Sequence, residues 1–112
     1  MSLRKEQSLF IDDVVKLLNF AKQEGFEITG GELFRTPEQQ EIYFRTGRSR
    51  TMNSYHLKKL AIDLNFFRNG ELIQDKEGLQ KLGNYWEELS SLNKWGGNFK
   101  TFVDTPHFQR TI

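Results

Sequence analysis

Two histidines and two aspartates stand where they could do chemistry together. His56 lies in Asn53-Ser54-Tyr55-His56, and Asp63 follows seven residues later between Ile62 and Leu64. The only other histidine, His107, comes far downstream in Asp104-Thr105-Pro106-His107-Phe108. Two imidazoles and a carboxylate are three protein ligands, the number a catalytic zinc uses while keeping a position open for water. Spacing limits how they can meet. On one helix, seven residues separate side chains by about 10 Å, and along a straight strand by more than about 20 Å. Neither lets His56 and Asp63 share an ion whose ligand bonds are about 2 Å long, so joint binding requires a sharp bend through Leu57–Leu60. The competing reading makes Asp63 a hydrogen-bonded carboxylate at a strand end. A metal hydrolase also needs a general base near the bound water, and both histidines would be occupied as ligands. Asp104, three residues before His107, is placed for that role, although an aspartate ahead of Thr-Pro also suits a turn. Local sequence does not separate Asp63 as ligand and Asp104 as base from the reverse assignment.

Periodicity supplies the elements that would carry these residues. Leu3, Phe10, Val14, Leu17, Leu18 and Ala21 recur at three- and four-residue steps and predict an amphipathic helix, with Asp12, Asp13, Lys16 and Lys22 off its apolar face. Gly25 is the expected stop. Phe26–Thr29 alternates like a short half-buried strand, broken or bulged at Gly30-Gly31 before Glu32–Arg35. Thr36-Pro37-Glu38-Gln39 reads as a helix start, with Thr36 as N-cap, Pro37 at the first position and Gln39 closing a capping box. That helix is expected to run to about Thr46, with Gly47 ending it. Arg48–Asn53 is polar and aperiodic, an exposed loop leading to His56. Ala61–Arg68 is a strand, Asn69-Gly70 the type I′ turn after it, and Glu71–Ile73 the return strand. A third helix is expected over Lys76–Leu92, with Leu79, Leu82, Tyr85/Trp86 and Leu89 as its core stripe. From Asn93 the composition predicts a loop that delivers Asp104 and His107 to a last strand. The order of elements implies an α+β domain with a small antiparallel sheet packed with about three helices.

Composition bounds the rest. The 112 residues make one expected domain, 1–112, with no further module, and ten Phe in a 37% hydrophobic chain indicate a globular core rather than disorder. Sixteen Lys+Arg against 15 Asp+Glu leave a net charge of +1, with no overall pull toward nucleic acid or membrane. No cysteine is present, which excludes disulfides and thiolate ligands. The N-terminus has no apolar signal core and no long apolar run exists, so synthesis in the cytosol without an export signal is expected.

The combination Ser54-x-His56 with Asp63, then Trp95-Gly96-Gly97 and Asp104-x-x-His107-Phe108, resembles the zinc D-alanyl-D-alanine carboxypeptidase family. That family includes the L-alanyl-D-glutamate peptidases found among bacteriophage endolysins. Phe34-Arg35-Thr36-Pro37-Glu38-Gln39-Gln40 is similar to the segment preceding the first zinc ligand there, so the likeness runs from about Gly30 to Phe108. It implies a small α+β fold of the hedgehog/DD-peptidase kind, with His56, Asp63 and His107 as zinc ligands and Asp104 as catalytic base. Arg35 matches the arginine that stabilises charge in the transition state, and Ser54 a serine in a supporting role. One departure stands out: the family usually has Gly two residues before the Ala, where this chain has Lys59. If that position needs positive φ, lysine there would cost about 1 kcal/mol or more.

What the resemblance implies is a zinc peptidase acting, as a monomer, on peptidoglycan stem peptides. The expected bond is L-Ala-D-Glu, with D-Ala-D-Ala as the alternative. Without an export signal, such a protein would reach the wall after release by lysis or as a phage or virion component. Two rivals come from other classes. Arg45, Arg48, Arg50, Lys58 and Lys59, interleaved with Tyr43 and Tyr55, could form a basic aromatic face for single-stranded nucleic acid, against which the near-zero net charge argues. A non-catalytic domain that keeps zinc only for binding is the other, and retention of both Arg35 and Asp104 favours the enzyme.

Overall fold

The computed structural model describes residues 2–112. Its first element, helix α1, spans Leu3–Gln23, and Ser2 starts it by accepting a hydrogen bond from the Lys5 N–H. Phe10, Val14, Leu17 and Ala21 are buried along one face, and Gly25 takes a φ of +90° where the helix has ended. Two residues depart from the expected pattern. Asp13 is buried rather than on the polar face, because its carboxylate accepts a hydrogen bond from the buried Asn93 amide at 3.0 Å. Leu3, at the start of the apolar series, is exposed.

Five strands form one antiparallel sheet: β1 (Glu27–Gly30), β2 (Ala61–Arg68), β3 (Glu71–Ile73), β4 (Asn93–Trp95) and β5 (His107–Arg110). Strand β2 is the spine. Its second half pairs with β1 and β3, and its first half pairs with β5, which pairs in turn with β4. Asn69 and Gly70 link β2 to β3 with φ of +53° and +79°, the two positive values a type I′ turn requires.

Helix α3 (Lys76–Leu89) packs with α1 to make the core. Phe10 meets Trp86 edge-on at 5.6 Å, and Phe108 of β5 contacts Trp86 and Phe66, each at 5.9 Å between ring centres. The helix ends with its apolar stripe at Leu89, three residues before the expected Leu92. Ser90 is extended, its hydroxyl accepts the Leu92 N–H, and the chain turns at once into β4. That strand replaces part of the expected loop. It lies against β5 with Trp95 opposite Phe108. Helix α2 (Pro37–Arg45) begins as expected, Thr36 accepting the Gln39 N–H, but the return bond of a capping box is absent among the described residues. Its one buried residue is a glutamine, Gln40. Among the described residues no helix is long and apolar enough to cross a membrane.

Candidate metal centre

The bend that the His56–Asp63 spacing demands is a single 3-10 turn, Tyr55–Lys58. Ser54 opens it by accepting the His56 N–H at 3.2 Å, and Lys59 closes it in the left-handed conformation, φ 57° and ψ 38°. Two residues later the chain enters β2. Asp63 then sits directly opposite His107 in the β2–β5 register, so the two side chains project from one side of the sheet. The Asp63 backbone is fixed from the other edge: the Gly31 N–H donates to its carbonyl at 2.8 Å, and its own N–H donates to the Glu32 carbonyl. A Cβ on Gly31 would lie 2.9 Å from that carbonyl oxygen, so the approach requires glycine.

Hydrogen bonding decides which face each imidazole presents. His56 Nδ1 lies 3.0 Å from the Leu33 carbonyl, which can only accept, so Nδ1 carries the proton and Nε2 is left with a lone pair. His107 Nε2 lies 2.7 Å from Gln109 Oε1, while the Gln109 amide nitrogen donates to Thr111, so Nδ1 of His107 is the free acceptor. Those two nitrogens reach Asp63 Oδ1 at 3.3 Å and 3.5 Å. His56 Nε2 and Asp63 Oδ1 are buried and make no hydrogen bond.

Three lone pairs thus converge within 4.8 Å of one another, an arrangement that is unfavourable until a cation lies between them. The outer hydrogen bonds to Leu33 and Gln109 are those that orient histidine ligands in metal sites. Two nitrogens and a carboxylate oxygen fit a divalent first-row metal ion, and His56, Asp63 and His107 are the residues that could hold it. Without an ion a proton must substitute. Burial disfavours charge on His107, but Asp63 and Gln109 beside it carry its pKa above the usual histidine value. Burial would likewise push Asp63 up, yet His107 and His56 hold it well below the usual carboxylate range.

Asp104 faces the same cleft without joining the cluster of donors. Burial, opposed by the His107 charge and reinforced by that of Asp63, raises its pKa above the ordinary carboxylate value. The Trp95-Gly96-Gly97 run places it. Trp95 is wholly buried, its indole N–H donating to the Thr105 carbonyl at 2.8 Å. The Gly96 carbonyl accepts the Asp104 N–H at 3.0 Å, and the His107 N–H in turn donates to the Asp104 carbonyl at 3.1 Å. A Cβ on Gly96 would stand 2.1 Å from the Asp104 carbonyl oxygen, and one on Gly97 or Gly83 would enter the Trp95 ring.

Arg35 also lines the cleft, which has a volume of about 330 Å³. It is no solvated strand-end arginine. Its guanidinium donates to Glu32, to Gln40 Oε1 at 2.7 Å and to Ser54 Oγ at 3.4 Å, and it stacks on the Tyr43 ring. Thus Ser54, which also caps the His56 turn, touches Arg35 and His56 together. Gln40, Glu32 and Gln109 were not among the residues singled out from sequence. For Gln109 a signal existed: two residues beyond His107 on one strand, it shares that face. Gln40 stood in the Arg35–Gln40 motif without a role; buried polarity on a short helix is visible only in three dimensions.

The family described as D-alanyl-D-alanine carboxypeptidase matches residues 47–110. The chain is 35% identical over 95 residues to the L-alanyl-D-glutamate peptidase of Listeria phage A118, which covers 84% of this chain and 34% of the phage protein. It is 31% identical over 106 residues to the peptidoglycan L-alanyl-D-glutamate endopeptidase CwlK of Bacillus subtilis (strain 168), covering 80% of this chain and 64% of CwlK. The chain therefore spans less than two thirds of either curated relative. Its fold is similar to the crystal structure of Serratia marcescens L-Ala D-Glu endopeptidase ChiX, with a TM-score of 0.70, 27% identity and coverage of 89% of this chain and 79% of that one.

Proposed function

This chain belongs to the D-alanyl-D-alanine carboxypeptidase family, and on that premise we propose that it is a zinc peptidase cutting the L-Ala-D-Glu bond of peptidoglycan stem peptides. The observation that carries this reading is the convergence of His56 Nε2, Asp63 Oδ1 and His107 Nδ1 beside Asp104 and Arg35 in one cleft. The names of the two relatives and of the structural neighbour support the choice of bond.

In this reading His56, Asp63 and His107 hold the ion, each fixed in orientation by its neighbours. A bound zinc supplies a water of lowered pKa, about 7, and polarises the scissile carbonyl. Asp104, in the same cleft as His56 and His107, takes the proton of the attacking water and passes it to the leaving amine. Arg35, held by Glu32, Gln40 and Tyr43, donates to the oxyanion of the tetrahedral intermediate without having to reorganise. Ser54 keeps Arg35 and His56 in register. Residues 1–112 would act as one catalytic unit and as a monomer, reaching the wall after release from the cell or as part of a phage particle.

The description of the family favours one other bond, D-Ala-D-Ala. Mass spectrometry of purified muropeptides digested by zinc-loaded protein separates the two. The endopeptidase frees a stem peptide beginning with D-Glu and leaves L-Ala on the sugar, whereas the carboxypeptidase releases a single C-terminal alanine. Loss of neither fragment, from protein containing zinc, would sink the peptidase reading and favour a domain that only binds.

A further inference from the structure

The cleft has a cationic rim that the hydrolytic chemistry does not use. Arg48 and Arg50 line it together with Arg35, from the loop that leads to His56. Arg35 is neutralised by Glu32, but neither Arg48 nor Arg50 has a carboxylate within 4.0 Å among the described residues. The acidic groups at this cleft are Asp104 and the Asp63 of the metal cluster. With a divalent ion in place, those two charges are offset and the rim remains positive.

Both guanidinium groups are exposed and each lies near an aromatic ring. Arg48 stands 5.7 Å from the centre of the Tyr43 ring, the same ring on which Arg35 stacks at 4.7 Å. The N–H groups of Arg48 and Ser49 both donate to the Tyr43 carbonyl, at 2.8 Å and 3.0 Å, which anchors the loop to α2. Arg50 lies 5.4 Å from the centre of the Phe102 ring, on the segment that carries Asp104. Phe102 itself has a φ of +51°, an uncommon conformation for a bulky residue, and it lines the same cleft. Arg50 and Phe102 therefore link the two loops that flank the reacting groups.

We propose that Arg48 and Arg50 read a free carboxylate on the residue that supplies the leaving amine. The inference rests on the reading of the cleft as a peptidase site for L-Ala-D-Glu. A D-glutamyl residue has two carboxyl groups, and the peptide chain uses one; the other is either a carboxylate or an amide. A guanidinium group binds a planar carboxylate in two-point fashion and gains less from a neutral carboxamide, which carries no charge and offers one acceptor oxygen in place of two. The rim thus makes the enzyme selective for the unamidated form of its substrate.

The test uses two synthetic stem peptides, N-acylated on L-Ala and differing only in whether the side carboxyl of the D-glutamyl residue is a carboxylate or a carboxamide. For the zinc-loaded protein, kcat/KM should favour the carboxylate by about ten-fold, the size of one charge-assisted hydrogen bond at a partly solvated site. In the double variant Arg48→Gln/Arg50→Gln the ratio should fall to near one, chiefly through KM for the carboxylate peptide, at unchanged zinc content. Arg48→Lys/Arg50→Lys, which keeps charge but loses the fork, should retain an intermediate ratio that declines with added salt. Equal cleavage of both peptides by the unaltered protein overturns the inference, as does a preference that survives the double Gln variant. Cleavage of neither peptide overturns the peptidase reading itself and this inference with it.

Discussion

His56 Nε2 and Asp63 Oδ1 lie 3.3 Å apart, both buried, with no hydrogen bond made by either. Two acceptors held face to face by the rest of the fold create a demand for a cation, and His107 Nδ1 at 3.5 Å from the same oxygen completes it. The first expectation is one tightly bound zinc per chain, read by elemental analysis of protein made without a histidine tag. His56→Ala and His107→Ala should each lose it. Saturating zinc should raise the unfolding free energy of the parent protein by about 4 kcal/mol at a thousand-fold excess over Kd. Zinc-free protein whose Tm does not move on titration would refute the site.

The same cluster predicts opposite pH dependences for ion-free and loaded protein. The folded pKa of His107 is raised above 6.5, so its contribution is complete below that value and is lost as pH rises through the folded pKa. Asp63 is depressed from 3.8, so its contribution is present above 3.8 and is lost only on strong acidification. Asp104, raised from 3.8, binds its proton more tightly when folded, so its contribution is present below 3.8 and is lost as pH rises through its folded pKa. Ion-free protein should therefore become less stable as pH rises above 6.5 and through the raised His107 pKa. Protein in excess zinc should become more stable over the same interval, because metal and proton compete for His107. Urea titrations at fixed ionic strength would show the two slopes, and parallel slopes would contradict the scheme.

Asp104→Asn is expected to keep zinc and fold and to lose about two to four orders of magnitude in kcat, the range for a general base. The aspartate is not within the donor cluster, so metal content separates the two roles for a carboxylate that local sequence leaves open. Arg35→Ala should also lower kcat more than it raises KM, since an oxyanion contact strengthens in the transition state. It should cost stability as well, because Glu32 and the buried Gln40 lose their partner. Near-normal turnover by Asp104→Asn would show that another group is the base.

How much of this was legible in the residues themselves follows the range of the interactions. Asn69-Gly70 and Thr36-Pro37 announce a turn and a helix start because the chemistry is local. The bend between His56 and Asp63 follows from chain length alone, once both are asked to meet one ion. Buried charge is different. Glu6 is held by Arg110 and Asp13 by Asn93, partners 104 and 80 residues away, and nothing in the pattern of α1 marks either acid as an inside residue. Strand β4 is three residues long and owes its form to pairing with β5, so no alternation could reveal it. The tautomers of His56 and His107 depend on the Leu33 carbonyl and Gln109, contacts that only the assembled sheet creates.

Lys59 is the departure from the family pattern that the structure explains. It adopts the left-handed conformation that a glycine would take without strain. A non-glycine residue there costs about 1–2 kcal/mol, while glycine loses about 0.5–1 kcal/mol in unfolded-chain entropy. Lys59→Gly should consequently stabilise the protein by about 0.5–1 kcal/mol, with zinc content unchanged. The lysine ammonium also lies 5.5 Å from the centre of the exposed Phe34 ring, a contact too exposed to reverse the sign. Equilibrium unfolding of Lys59→Gly and Lys59→Ala would decide: if the glycine variant is no more stable than the alanine one, backbone strain is not stored at this turn.

The Gly96 position should not tolerate a side chain. Its φ is not positive, so conformational freedom is not the reason. The reason is space, for an added Cβ would stand 2.1 Å from the Asp104 carbonyl oxygen and 2.9 Å from the His107 Cβ. The first of these is backbone, which cannot rotate away, and the Gly96 carbonyl is meanwhile bonded to the Asp104 N–H. Gly96→Ala must therefore push the Asp104–His107 segment outward, moving a metal donor and the proposed base together. A stability loss of about 1–3 kcal/mol is expected for such overpacking. The sharper consequence is functional: zinc affinity and kcat should both fall in the fraction that remains folded at low temperature, because a donor displaced by a few tenths of an ångström no longer converges with the other two. A Gly96→Ala protein that binds zinc and turns over normally would show that the Trp95-Gly96-Gly97 run does not set the position of Asp104 and His107.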